Sequence, residues 1–431
     1  GTGTINFGQS AFSYTPPTGF GPLSTATLPA PTYTDARKYF APVLWEGTGS
    51  ARLARGCFDS TGTAWTPDWV WIKGRNDASD HALFDSVRDS GTRAVRTSNS
   101  TAQDTDSTAV LQFISGGVRL GDSSGGSNAV NRDHATGYTY VGWFWKAGGM
   151  PTVDNAVGVS DGASMTSGSV FKGDTAITFT PHNDATVFPK RMSIADHGGF
   201  SIVSYVGSGS DNLKYPHGLD RAPDMIMNKC TSDASTNWVV YHSGINYATN
   251  TSSAITAKEG YLSMNSASGA IDDATQWSDE DPTAELVTLG SGGAINGSAN
   301  EMISYCFAKT PGLIGIGHYK GNSNADGPYV VIDDGASGFR PAWLMTKRVG
   351  GTENWFIKDA ATNGPDGNEG NPHQTNLLAD SANATGSGSG IDFLANGFKV
   401  RVTSNSVNAN GENIVYLAFS DQAFELQARA G

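Results

Sequence analysis

The apolar residues of this chain fall in short runs of four to seven, set between turns rich in Gly, Ser, Asn and Asp, and one run recurs. Pro67-Asp68-Trp69-Val70-Trp71-Ile72-Lys73 returns as Pro223-Asp224-Met225-Ile226-Met227-Asn228-Lys229 and again as Pro341-Ala342-Trp343-Leu344-Met345-Thr346-Lys347. A proline at the entry, a mostly apolar stretch and a closing charge predict a core strand whose lysine leaves the sandwich. Upstream of each copy stands a strand with an aromatic residue two places before a turn glycine: Trp45 before Gly47, Tyr205 before Gly207, Tyr319 before Gly321. Downstream come Leu83-Phe84-Asp85, Trp238-Val239-Val240-Tyr241-His242 and Trp355-Phe356-Ile357-Lys358-Asp359, then Val118-Arg119-Leu120, Leu286-Val287-Thr288-Leu289 and Phe398-Lys399-Val400. Each copy closes on an aromatic strand, around Trp143, Tyr305 and Tyr416.

Five matched blocks in one order, three times over, predict three internal repeats. Pro67 and Pro223 are 156 positions apart, Pro223 and Pro341 only 118, so each copy is long enough to bury a core of its own. Long helical periodicity is absent. The expected fold is therefore all-β, with tandem antiparallel β-sandwich domains of lectin or jelly-roll type. The divisions are 1–34, the end of a preceding β-sandwich module with a Pro-rich linker; 35–149, the first repeat; 150–198, a linker or insertion carrying the strand-like run Thr175-Ala176-Ile177-Thr178-Phe179; 199–310, the second repeat; and 311–431, the third.

Composition narrows the function. Charged residues make up 16% and glycine 54 of 431 positions, a balance of turns and short strands. The formal charge of −13 disfavours nucleic acid, since the densest basic stretch, 88–96, holds three cations broken by Asp89 and reads as a solvated loop. No apolar run is long enough for a membrane span. Cys57, Cys230 and Cys306 are too few and too far apart for a disulfide framework or a zinc site, and read as buried free thiols of a chain folded in a reducing cytoplasm.

Candidate chemistry is thin. The acidic groups Asp104 with Asp106, Asp272-Asp273, Asp279-Glu280-Asp281 and Asp333-Asp334 read as solvated loop carboxylates, with a calcium site or a glycosidase pair as the sharper alternatives. Eight histidines, among them His81, His134, His217, His242 and His318, show no metal-ligand spacing, and the copies do not share them, so no role common to all copies is expected of them. The glycine pairs at 116, 148, 198 and 292 lack a following helix or a Walker lysine and read as turns. For Trp69, Trp71, Trp143, Trp145, Trp238 and Trp355 the expectation is core packing for one of each alternating pair, with the other face covered by a neighbouring domain or subunit. Neither catalytic nor metal-ligating residues, nor any cofactor, are assigned.

The Pro-Asp-Trp-Val-Trp-Ile-Lys block, Asp80-His81-Ala82-Leu83-Phe84-Asp85, Asn237-Trp238-Val239-Val240-Tyr241-His242, Gly338-Phe339-Arg340-Pro341-Ala342-Trp343 and Tyr416-Leu417-Ala418-Phe419-Ser420 together resemble a repeated domain of tailed-phage virion surface proteins. The opening Asn6-Phe7-Gly8-Gln9 through Leu28-Pro29 resembles the closing strand of a SPRY-like, lectin-type sandwich. Ala342, where the other copies hold Asp68 and Asp224, departs from the pattern. The resemblance implies a virion location after synthesis in the bacterial host cytoplasm, and a structural fibre or spike component for host attachment rather than an enzyme. Its partners would be other virion proteins, further copies of itself in a homo-oligomer, and a host cell-surface glycan or protein, without nucleic acid or membrane insertion. A decoration protein clamping capsid or tail subunits is the alternative, and a polysaccharide depolymerase a more distant one.

Overall fold

Both faces of the repeated apolar strands need cover, because Trp69 and Trp71 lie on one side of the pleat while Val70 and Ile72 lie on the other. The computed structural model describes residues 33–421, apart from residue 90 and segments 106–108, 123–129, 134–136, 248–254 and 363–369, and it shows where that cover comes from. The sequence expectations for 1–32, for Asp106 and for His134 lie outside the described residues.

Each repeat has an inner sheet of the same four antiparallel strands. In the first these are Phe40–Glu46, Trp69–Gly74, Ala82–Asp85 and Thr139–Trp145; in the second Phe200–Val206, Met225–Cys230, Val239–His242 and Glu301–Phe307; in the third Ile314–Lys320, Trp343–Arg348, Phe356–Asp359 and Asn413–Phe419. All three sheets run in the order first, fourth, second, third. The registers coincide as well, since Trp69 pairs with Trp145 and Asp85, Met225 with Phe307 and His242, Trp343 with Phe419 and Asp359. Outer strands close each sandwich: Arg52–Arg55, Val110–Ile114 and Gly117–Leu120 in the first repeat, Leu213–Pro216 and Leu286–Leu289 in the second, and Tyr329–Val331, His373–Leu378, Gly386–Leu394 and Gly397–Val400 in the third. The fold is all-β.

The outward side chains fill a core inside each sandwich: Val70, Ile72, Tyr140 and Phe144 in the first repeat, Leu344, Ile414, Tyr416 and Ala418 in the third. The inward side chains do something the repeat length did not suggest. Trp69, Trp71, Val141, Trp143 and Trp145 meet Phe200, Met225, Met227, Tyr305 and Phe307 and also Trp343, Met345, Val415, Leu417 and Phe419 in one continuous core. The three inner sheets thus surround a common axis, and no copy buries all its apolar surface alone. Trp145, Phe307 and Phe419 hold the same place in their repeats and meet there, with ring centroids 5.4 Å apart for Trp145 and Phe419 and 5.9 Å for Phe307 and Phe419. The expected split within each tryptophan pair is corrected: residues two apart share a face, so Trp69 and Trp71 both point at the axis, and the neighbouring repeats cover them.

Residues 150–198 are not a bare linker. Val170–Lys172 pairs parallel with Arg191–Ile194, which joins the edge strand Phe200–Val206, and Thr175–Ala176 completes a seven-stranded sheet. The strand-like run 175–179 is a strand only over its first two residues.

Candidate functional site

The chemistry-bearing side chains gather at the three junctions between repeats, where equivalent residues make equivalent bonds in a closed cycle. The lysine that ends each repeated block is one. Lys73 donates to the carbonyl of Ala382 in the third repeat (3.1 Å), Lys229 to Ser100 in the first (3.0 Å) and Lys347 to Ala267 in the second (2.8 Å). Each ammonium also donates to carbonyls of its own repeat, Asp77, Thr236 and Glu353. None leaves the sandwich: all three are fully buried, and burial pushes each down to about 8. Two residues beyond each lysine, the carbonyls of Arg75, Thr231 and Val349 accept the amides of Thr385, Gln103 and Ala270 from the adjoining repeat.

A second cycle lies four places before the end of each third strand. His81 Nε2 donates to Leu378 O, Trp238 Nε1 to Arg96 O and Trp355 Nε1 to Ser263 O. His81 Nδ1 accepts from the Trp71 indole, which fixes its tautomer, and burial holds the ring well below the ordinary range. The third cycle uses the last residue of those strands. The Tyr305 hydroxyl donates to the Asp85 carboxylate (2.8 Å), the Trp143 indole to Asp359, and His242 Nε2 to Tyr416 O (3.1 Å), while His242 Nδ1 accepts from the Gly244 amide. Asp85, His242 and Asp359 thus share one role with two chemistries. The third repeat has Leu417 where the others have Trp143 and Tyr305, so no side-chain donor faces the second repeat, and a histidine there donates to the backbone instead. The expectation that the histidines would serve no role common to the copies is overturned at His81 and His242.

Other predicted residues organise their own repeats. Asp68 accepts from the Ser86 hydroxyl and the amides of Ala147 and Gly149; Asp224 accepts from Ser243 and Lys309. Asp334, expected to be solvated, is buried and accepts the amides of Gly312, Ala336 and Gly338. Asp104 pairs with Arg96, Asp273 caps a short helix, Asp281 accepts from Tyr241, and Asp333 pairs with Lys309. The stretch 88–96 is not a solvated loop either, since Arg88 is buried against Asp85 at 2.6 Å and Arg96 is buried as well. His217 bonds to the Leu219 amide and Thr283 O, and His318 is exposed. Cys57, Cys230 and Cys306 are buried and unpaired. Among the described residues, no three His, Cys, Asp or Glu converge as a metal site, and no helix is long and apolar enough to cross a membrane.

Sequence reasoning missed Asn131, Asn296 and Asn408. Each is fully buried, and its Nδ2 donates to one carbonyl in the loop after the first strand and one near the end of an outer strand: Ser50 and Gly121, Ser210 and Gly290, Asn324 and Val402. Its Oδ1 accepts the amide of Thr48, Ser208 or Asn322. The preceding residue's carbonyl takes the bond from Trp45, Tyr205 or Tyr319, which explains the aromatic two places before the glycine. The glycine is required because a Cβ on Gly47, Gly207 or Gly321 would stand 1.7, 2.4 or 2.3 Å from a carbonyl oxygen. The recurring Val-Asn, Ile-Asn and Val-Asn pairs were the available signal.

These loops give the molecule two unlike ends. The chain enters by Phe40, crosses between repeats after Trp145 and Phe307, and leaves at Phe419, all at the end where Trp145, Phe307 and Phe419 meet. Phe40 stacks on Phe419 at 5.4 Å, and Tyr33 donates to His197 O at this same end. Among the described residues, the opposite end carries loops within repeats, which leave from Glu46 and Gly74 and return at Thr139 in the first and at the matching positions in the others, and the 150–198 insertion also reaches it, where Lys190 pairs with Glu301. A cleft of about 490 Å³ opens between the second and third repeats beside Tyr241, Lys258, Asp281 and His318; the matching cleft between the first and second, about 160 Å³, is crowded by Arg88 and Arg191.

No curated protein and no solved structure matches the chain. The model of a family described as Domain of unknown function (DUF7483) matches residues 35–188 and 173–423, which between them take in all three inner sheets, and the chain belongs to that family.

Proposed function

We propose that the chain is a non-catalytic structural module of a tailed-phage virion, a fibre or spike component that presents its free loop end to the host surface. The observation that carries this reading is the polarity of the fold: the crossovers leave one repeat and enter the next at the same end, so that end suits anchoring, and the other presents the loops within repeats, flanked at the second repeat by the 150–198 insertion. Loops such as Thr48-Gly49-Ser50, Ser208-Gly209-Ser210 and Asn322-Ser323-Asn324 are short and rich in hydroxyls and amides, suited to many weak polar contacts multiplied by display on one particle. The buried ionisable groups described above are engaged in holding repeats and loops together, which supports architecture over chemistry. The resemblance to phage surface domains points the same way.

A second reading, a decoration protein, draws on apolar side chains left exposed on the flanks: Leu44 and Leu53 in the first repeat, Tyr329 and Val331 in the third. A cryo-electron microscopy map of the intact particle separates the two. The loop ring free and the crossover end seated supports attachment. The flanks buried with the loop ring covered supports decoration, and absence of the chain from the particle ends both.

A further inference from the structure

The chain that follows the third strand of one repeat runs against the first strand of the next, and the junctions fill that place differently. Between the first and second repeats it lies against Val87, Arg88 and Ser204, and the insertion plugs it: Arg191 donates to Val87 O at 3.5 Å and pairs with Asp154, while Lys190 pairs with Asp154 and Glu301. In the first strand of the first repeat, Leu44 takes the place of Ser204. Between the second and third repeats the chain passes from Phe307 to Ile314 without an insertion. Gly244 stands where the other repeats have Val87 and Ala361, and a Cβ there would come within 3.1 Å of His318 Cβ and Nδ1. The result is the cleft of about 490 Å³, within the range of roughly 300–1,000 Å³ usual for small-ligand sites.

The side chains around this cleft are polar and largely unspent. Ser243, Asn246, Lys258, Asp281 and His318 are exposed along it. The buried Tyr241 donates its hydroxyl to Asp281 Oδ1 at 2.9 Å, which leaves the hydroxyl oxygen able to accept and Asp281 Oδ2 without a donor among the described residues. Among the same residues Lys258 has no ion pair, and neither the His318 ring nor the Asn246 side chain has a hydrogen bond. Asn413 donates to Gly244 O at 2.7 Å and to Asn246 O at 3.4 Å, while its own Oδ1 is buried with no donor. Because Asn413 begins a strand at the loop end, the Asn246 edge of the cleft lies at that end too. The chemistry of the lining selects the ligand. Lys258 and Asp281 cancel, and an anion would meet Asp281 with Asp279 and Glu280 close by in sequence. A metal ion would find no converging ligands among the described residues, and an apolar ligand would strand the polar groups. A polyhydroxylated neutral molecule satisfies all of them, since each hydroxyl both donates and accepts and a carboxylate takes strong charge-assisted bonds from such donors.

We propose that the cleft between the second and third repeats holds one neutral hexose of a surface glycan, with Asp281 accepting from its hydroxyls and Lys258, Asn246 and His318 bonding its oxygens. That the glycan belongs to the host rests on the attachment reading above; the binding itself does not. Saturation-transfer NMR on the full chain tests this with the methyl glycosides of glucose, galactose and mannose as neutral probes and N-acetylneuraminic acid as the acidic one. At least one neutral probe should bind with a Kd on the order of 1–10 mM, and the acid should not. Asp281→Asn, which keeps an acceptor for Tyr241, and His318→Leu, which copies the first repeat, alter exposed side chains and should each weaken that binding about tenfold. A neutral probe that binds the parent and both folded variants alike sits elsewhere, which overturns the inference and leaves attachment standing. Binding of the acid alone, or of no probe, overturns it as well. Variant-sensitive sugar binding together with a particle map in which the loop end is covered would instead remove the attachment reading and keep the cleft.

Discussion

At the scale of single residues, the groups that matter most are polar and buried. Removing the Asn296 side chain strands two carbonyls and one amide away from water, at roughly 1–3 kcal/mol for each such group. Asn296→Ala should therefore lower stability by about 3 kcal/mol or more in urea unfolding, and Asn131→Ala and Asn408→Ala similarly. Lys229 carries a pH signature. The unfolded chain holds its proton to about 10.5 and the folded one only to about 8, so folding sheds a proton between those values and its contribution improves as pH rises through them. From about pH 7.5 to 9.5 the parent should gain about 1–2 kcal/mol on Lys229→Met, measured as the difference in urea stability. Neither residue's role was legible beforehand. A lysine closing an apolar strand looks like an exit to solvent until a second sheet is known to face it, and a single asparagine in a polar loop looks like any other turn residue.

At the scale of elements, strand identity and order were written plainly in the repeated blocks, because an inner strand covered on both faces must be apolar at nearly every position. What covers the second face was open. A lone pleated strand cannot say whether Trp69 meets another subunit, another domain or its own chain, and the answer required the register that places Trp145, Phe307 and Phe419 at equivalent points. Trp69 stacks on Tyr305 of the second repeat at 4.8 Å between centroids. Trp69→Ala should thus cost about 3–5 kcal/mol and loosen two repeats, seen as faster exchange in Glu301–Phe307 as well as in Trp69–Gly74. The matching Val70→Ala, pointing into the first sandwich, should cost about 1–3 kcal/mol and leave the exchange of Glu301–Phe307 unchanged.

At the scale of the whole molecule, a shared axial core makes the three repeats one cooperative body. Calorimetry should show one transition with matching calorimetric and van't Hoff enthalpies, whereas three resolved transitions would mean the repeats fold independently. Three-fold repetition was legible in the sequence; its closure into a ring was not, because the bonds that close it join residues such as Trp143 and Asp359, 216 positions apart and unlike in type. The stack of Phe40 on Phe419 has a further consequence. The first residue of the entry strand touches the last of the exit strand, so the same ring can be built with the repeats in another order along the chain. A short bridge from residue 421 back to residue 35, with a new break in the crossover at 309–312, would yield a protein that begins with its present third repeat and recreates the same ring. Such a circular permutant would link the third repeat to the first by a covalent crossover and leave the second and third joined by non-covalent contacts alone.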